Sequence, residues 1–69
     1  MMKRYTLSEL NAMPTIGNGH TENLKLEQDG VRVWLSRLDK SDGMPYDNQV
    51  TVEKKVDGQW TNIDTYEAK

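Results

Sequence analysis

The chain has 69 residues, no cysteine and a formal net charge of −2. This length allows a single small domain, residues 1–69, whose core is marginal because so short a chain buries only about 60% of its unfolded surface. Without cysteine there is no disulfide, and one histidine does not make a usual zinc site, so we expect no metal and no cofactor. Oligomerisation is the remaining source of stability, and we therefore expect a homodimer.

Membrane and export segments are not evident in the sequence. No apolar run has the length of a membrane span, and the start MMKRYTLSEL lacks an apolar export segment. These features predict a cytoplasmic protein without membrane contact. Acidic residues outnumber basic ones by 11 to 9, which gives no basic footprint for nucleic acid.

The first predicted element is a short helix over residues 7–13. Thr6 and Glu9 have the spacing of a capping box, in which each side chain bonds the backbone N–H of the other residue. Leu7, Leu10 and Met13 then fall on one helical face, and Pro14 ends the helix. A helix of two turns is not stable alone in water, so we expect it to pack on a sheet.

Residues 24–38 predict a β-hairpin around Asp29-Gly30, a strong signal for a type I′ turn. Counting outwards from this turn sets the expected strand register. The predicted opposing pairs are Gln28–Val31, Glu27–Arg32, Leu26–Val33, Lys25–Trp34 and Leu24–Leu35. Leu24, Leu26, Val31, Val33 and Leu35 would then share the core face, with a Glu27–Arg32 ion pair and a Lys25–Trp34 cation–π pair on the other face.

Residues 49–66 repeat this pattern around Asp57-Gly58. The predicted pairs are Val56–Gln59, Lys55–Trp60, Lys54–Thr61, Glu53–Asn62 and Val52–Ile63, and the predicted core face holds Val50, Val52, Val56, Thr61, Ile63 and Thr65. Residues 14–23 and 39–48 are rich in turn formers and are predicted loops. The sequence thus predicts an α+β fold, with a short N-terminal helix on a four-stranded antiparallel meander of two β-hairpins.

Two tryptophans among cations on the outer sheet face are the most informative surface feature. The candidate binding residues are Trp34, Arg32, Trp60, Lys25, Lys55 and, from the second loop, Tyr46. Such a face fits a protein interface, since Trp, Tyr and Arg are enriched at binding hot spots. It also fits simple stiffening of the hairpins, or stacking of single-stranded nucleic-acid bases, which the net negative charge disfavours. These three interpretations stay open.

Other motifs give weaker signals. Gly17-Asn18-Gly19 lacks both phosphate-binding fingerprints, and His20 with Glu22 has no evident nucleophile or orienting partner. The acids of the second loop do not have calcium-loop spacing; they are Asp39, Asp42 and Asp47. An alternative function is the sequestration of a small molecule or nucleotide, in a pocket that the two loops would close and that would include Asn18, His20 and Asp47. We expect no enzymatic activity, because no nucleophile–base–orienter set is visible.

Five stretches of the chain resemble a group of small orphan proteins that bacteriophages, prophages and mobile elements encode. These are KRYTLSEL, PTIGNGHTENLK, VRVWLSRL, GMPYDNQVTVEK and DTYEAK, which together cover most of the chain from Lys3 onwards. The resemblance does not identify any catalytic or binding residue. It implies a phage accessory protein in the host bacterial cytoplasm that binds and sterically blocks a host protein, for example in host defence.

Overall fold

The computed structural model describes residues 3–38 and 48–69 and shows one short helix and a five-stranded antiparallel sheet. The elements are α1 (Leu7–Ala12), β1 (Gly17–Asn18), β2 (Glu22–Gln28), β3 (Val31–Ser36), β4 (Gln49–Val56) and β5 (Gln59–Glu67). The strands lie in chain order, so the α+β class and the meander are confirmed. The predicted count of four strands is wrong, because Gly17 and Asn18 pair with Leu24 and Asn23. All but the last residue of the predicted loop 39–48 lies outside the described residues.

Helix α1 has the predicted capping box. The Glu9 N–H donates to Thr6 Oγ1 at 3.2 Å, and the Thr6 N–H donates to Glu9 Oε1 at 2.9 Å. The helix ends at Ala12, and Met13, in an extended conformation before Pro14, is its C-cap. Six residues give little intrinsic stability, so tertiary packing must hold this helix in place.

Both hairpin turns have the predicted type I′ character. The φ angles are positive at both central residues of each turn: 54° at Asp29 and 72° at Gly30, then 52° at Asp57 and 81° at Gly58. Aspartate tolerates the left-handed region and glycine enters it without steric cost, which explains this residue pair. The pairs next to each turn, Gln28–Val31 and Val56–Gln59, form as the sequence predicts.

The predicted register of the first hairpin fails at Lys25. Leu26 opposes Val33 as predicted, but a β-bulge follows, and Leu24 opposes Trp34 instead of Leu35. Directly opposite residues point to the same face, so Leu24 lies on the face of Trp34 and not on the core face. Lys25 is the extra residue of the bulge, and it does not oppose Trp34.

The second hairpin has a bulge of its own. Its register is as predicted from Val56–Gln59 to Glu53–Asn62, but Val52 then opposes Asp64, and Ile63 is left unpaired in the ladder. Thr65 opposes Thr51, so the prediction that Thr65 lies on the core face is wrong. Bulges increase the twist of a strand and bend it, and in this sheet they lie in β2 and β5.

The core lies between α1 and one face of the sheet. Leu10, at 0% exposure, packs from the helix into the cluster, which also contains Val33, Leu35, Val50, Val52 and Ala68. Tyr66 adds a link to the N-terminal segment, since its hydroxyl accepts from the Tyr5 N–H at 2.7 Å and donates to the Tyr5 carbonyl at 3.1 Å. The face of the sheet that contacts α1 therefore forms the hydrophobic core.

Within the described residues, no helix is long and apolar enough to cross a membrane.

Candidate functional site

The sheet face opposite α1 carries both tryptophans, as the alternation predicts. Trp34 lies between the buried Val33 and Leu35 in sequence and therefore points away from them. Cross-strand pairing places the other residues on this face. We call it the tryptophan face; its central members are Leu24, Glu27, Arg32, Trp34, Thr51, Glu53, Lys55, Trp60 and Asn62.

Arg32 and Trp60 form a stacked pair at the centre of the tryptophan face. The guanidinium carbon of Arg32 lies 3.9 Å from the ring centroid of Trp60, and Nζ of Lys55 lies 5.8 Å from the same centroid. The Nε–H of Arg32 donates to Glu27 Oε1 at 3.2 Å, which confirms the predicted ion pair. Arg32 is thus oriented by a carboxylate on one side and stacked on an indole on the other.

Trp34 is held by a different set of contacts. Its Nε1–H donates to Glu53 Oε1 at 2.6 Å, a short charge-assisted bond across β3 and β4. A Cβ at Gly19 would lie only 3.1 Å from Cζ3 of the indole, so the backbone near β1 closely approaches the ring. Leu24, which opposes Trp34, is buried on the same side. Trp34 therefore forms a small second packed cluster on the tryptophan face.

Lys25 does not belong to this face. Its Nζ donates to the Met13 carbonyl at 3.3 Å and to Thr15 Oγ1 at 3.0 Å, next to the end of α1. A cation there neutralises part of the negative charge on the last carbonyls of the helix. The predicted Lys25–Trp34 cation–π pair is wrong for the same reason, because the bulge sends the ammonium towards the helix.

Glu53 is a member of the tryptophan face that sequence reasoning did not single out. It lies opposite Arg32 and bonds Trp34, so it connects the two aromatic clusters. Only the register of β3 against β4 brings these three residues together. A turn sets the register within a hairpin, whereas β3 and β4 are joined by a long segment, so no sequence signal identified Glu53.

The structure describes only some of the residues of the predicted alternative pocket. Asn18 and His20 are exposed, and Asp47 lies outside the described residues, as does Tyr46, which was predicted as a binding residue and not as part of this pocket. The Gly19 and His20 carbonyls accept from Arg37 Nη2 at 2.9 and 2.6 Å. This bidentate anchor fixes the chain beyond β1 against the end of β3.

Shifted pKa values lie at the N-terminal segment and the helix side of the sheet. Hydrogen bonds and charge from Arg4, at 2.9 and 3.0 Å, hold the pKa of the Asp64 carboxyl below its usual range. The Thr6 backbone N–H, followed by Lys3, lowers the pKa of Glu9, and burial raises that of Tyr66. Among the described residues, no three acids or histidines are grouped to hold a metal ion. These groups therefore belong to contacts that hold the N-terminal segment against the sheet.

Comparison of the chain with protein-family models, curated proteins and solved structures gave no match.

Proposed function

We propose that this chain is a non-catalytic binding protein that docks a partner protein on its tryptophan face and blocks a site on that partner by steric occlusion. The observation that carries the proposal is the Arg32–Trp60 stack, 3.9 Å between guanidinium and ring, set by Glu27 on a sheet face that the core does not use. Trp and Arg are the residue types most enriched at protein hot spots.

Preorganisation supports this function. Three neighbouring strands hold Arg32, Glu53 and Trp60, and a side chain already held by an ion pair and a stacking contact loses little rotamer entropy on binding. The resemblance to small phage proteins supports a host protein as the partner. A phage protein without catalytic groups acts most simply by covering a surface that its host needs.

Charge favours a protein over a nucleic acid as the ligand of this face. Glu27 and Glu53 flank Arg32 on both neighbouring strands, so the guanidinium is already offset by carboxylates. Phosphate binding depends on uncompensated cations, whose neutralisation produces a steep dependence of affinity on salt. Two glutamates at the centre of the face repel a phosphate backbone.

The test is affinity capture from a bacterial host lysate with the wild-type chain, Trp60→Ala and Arg32→Ala, followed by calorimetry with the purified partner. Each variant is first checked for folding by circular dichroism. We expect both variants to stay folded and to lose at least about 30-fold in affinity, the value that corresponds to about 2 kcal/mol at a hot spot.

Ile16→Ala is the matched control, because Ile16 is 54% exposed and lies at the opposite edge of the sheet, ahead of β1. It removes exposed apolar surface and is expected to leave affinity unchanged. A folded Trp60→Ala protein that binds as tightly as wild type would refute the proposal. Native mass spectrometry that shows a bound molecule of a few hundred daltons would instead point to the alternative of a ligand-sequestering protein.

A further inference from the structure

The two edges of the sheet differ in how they are covered. On one side of the sheet, the short strand β1 pairs with β2, and the Ile16 N–H donates to the Leu24 carbonyl at 2.8 Å. At the other edge lies β5, the longest strand at nine residues. Its sequence, QWTNIDTYE, contains none of the lysines or prolines that commonly protect an open edge from pairing.

The direction of the backbone groups in β5 follows from one hydrogen bond. The Lys55 N–H donates to the Gly30 carbonyl at 2.8 Å. The N–H and C=O of Lys55 therefore point towards the β3 side of β4 and away from β5. Alternation along an antiparallel ladder then directs Gln59 and Thr61 towards β4, and directs the N–H and C=O of Trp60 and Asn62 to the open edge. No backbone hydrogen bond from residues 3–38 or 48–69 reaches these groups.

We propose that a second copy of this chain pairs with the open edge of β5, antiparallel and about a two-fold axis at Thr61. In this register Trp60 of each copy opposes Asn62 of the other. Each of these two Trp60–Asn62 pairs exchanges two hydrogen bonds between the outward backbone groups of its residues. The two Thr61 residues face each other, a favourable cross-strand pair. Gln59 then opposes Ile63, whose side chain is 40% exposed in the single chain.

Charge and geometry both fit self-pairing. Residues 59–63 carry no charged side chain, so two copies bring no like charges together in this ladder. The bulge at Ile63 limits pairing to this half of β5, and beyond it Asp64 is already bound by Arg4. An interface of five residues per copy is small, which implies a weak dimer whose population depends on concentration.

The paired sheet has ten strands and carries both tryptophan faces on the same side, because the two-fold axis is perpendicular to the sheet. Two identical faces held on one rigid sheet allow bivalent binding to a symmetric partner, in which the second contact is intramolecular. The pairing itself does not depend on the proposed function, and it is tested without any partner.

The test is sedimentation equilibrium of the full chain from about 10 μM to about 1 mM, a range chosen to detect a dimer of weak affinity. We expect a monomer–dimer equilibrium for wild type. Asn62→Pro removes an outward N–H without removing a bond to β4, and the dimer is expected to weaken at least about tenfold as two interface bonds are lost. Asn62→Ala is the matched control, since it keeps the N–H and is expected to dimerise like wild type.

A second variant covers the case in which proline disturbs the strand itself. Thr61→Glu places a glutamate opposite Lys54 within one chain, a favourable pair, but opposite a second glutamate across the two-fold axis. We expect a folded monomer with association weakened about fivefold at low salt and partly restored at high salt. A wild-type chain that stays monomeric throughout, or variants that dimerise as wild type does, would overturn the proposal.

Discussion

Replacing Gly19 with alanine tests the contact between the β1 region and Trp34. The new Cβ would lie 3.1 Å from Cζ3 of the indole, which is tighter than ordinary packing, and 3.6 Å from Cε3, which is an ordinary contact. The ring cannot retreat freely, because its Nε1–H is bonded to Glu53 at 2.6 Å. Gly19 is not among the residues with positive φ, so the backbone itself accepts alanine.

Two opposing terms set the size of the effect. Overpacking lowers the free energy of unfolding by about 1–3 kcal/mol. Replacing glycine also reduces the entropy of the unfolded chain, which raises the free energy of unfolding by about 0.4–1 kcal/mol. We therefore expect Gly19→Ala to lower the free energy of unfolding by about 1 kcal/mol. Urea denaturation followed by tryptophan fluorescence and circular dichroism measures this change.

Gly17→Ala is the matched control, two residues away in the same segment. Its Cβ would lie 3.4 Å from Leu24 Cδ2, an ordinary contact, so we expect a change within about 0.5 kcal/mol of zero. In a Trp34→Phe background, which lacks the large ring, the cost of Gly19→Ala is expected to disappear through coupling between contacting residues. If Gly19→Ala costs the same in both backgrounds, the argument from the indole contact is wrong.

Two predictions concern the N-terminal segment. Thr6→Ala removes the hydroxyl that accepts from the Glu9 N–H, and thermal unfolding is expected to show a loss of about 1 kcal/mol; an unchanged melting temperature would mean that packing alone holds the helix. The folded pKa of Asp64 is lowered by Arg4, so its stabilisation is present above the unfolded pKa of about 4 and is lost as pH falls through the folded value. Asp64→Asn should therefore flatten the decline of the urea midpoint below about pH 4, and an unaltered pH profile would contradict this assignment.

The features that sequence reasoning predicted correctly are local ones. The capping box at Thr6 and the two Asp-Gly turns are determined by neighbouring residues, and both formed as expected. The register next to each turn followed from turn geometry. The outward position of Trp34 and Trp60 followed from alternation over short distances, without knowledge of the whole sheet.

The bulges could not be predicted by counting from the turns. Leu24, Lys25 and Leu26 alternate apolar, polar and apolar, a pattern that places both leucines on one face. In the structure Lys25 is an extra residue, because Leu24 packs beside Trp34 and the lysine ammonium binds at the end of α1. Both interactions connect segments distant in sequence, and they outweigh the alternation.

This shift of Leu24 separates the roles of the two tryptophans. Trp34 gains Leu24, Gly19 and a bond to Glu53, so its indole contributes to stability, and its truncation should lower the free energy of unfolding. Trp60 lies on the edge hairpin and stacks on Arg32, away from that cluster, so it is the better anchor for a partner. Measuring stability and affinity separately for alanine variants of both residues distinguishes a structural tryptophan from a binding one.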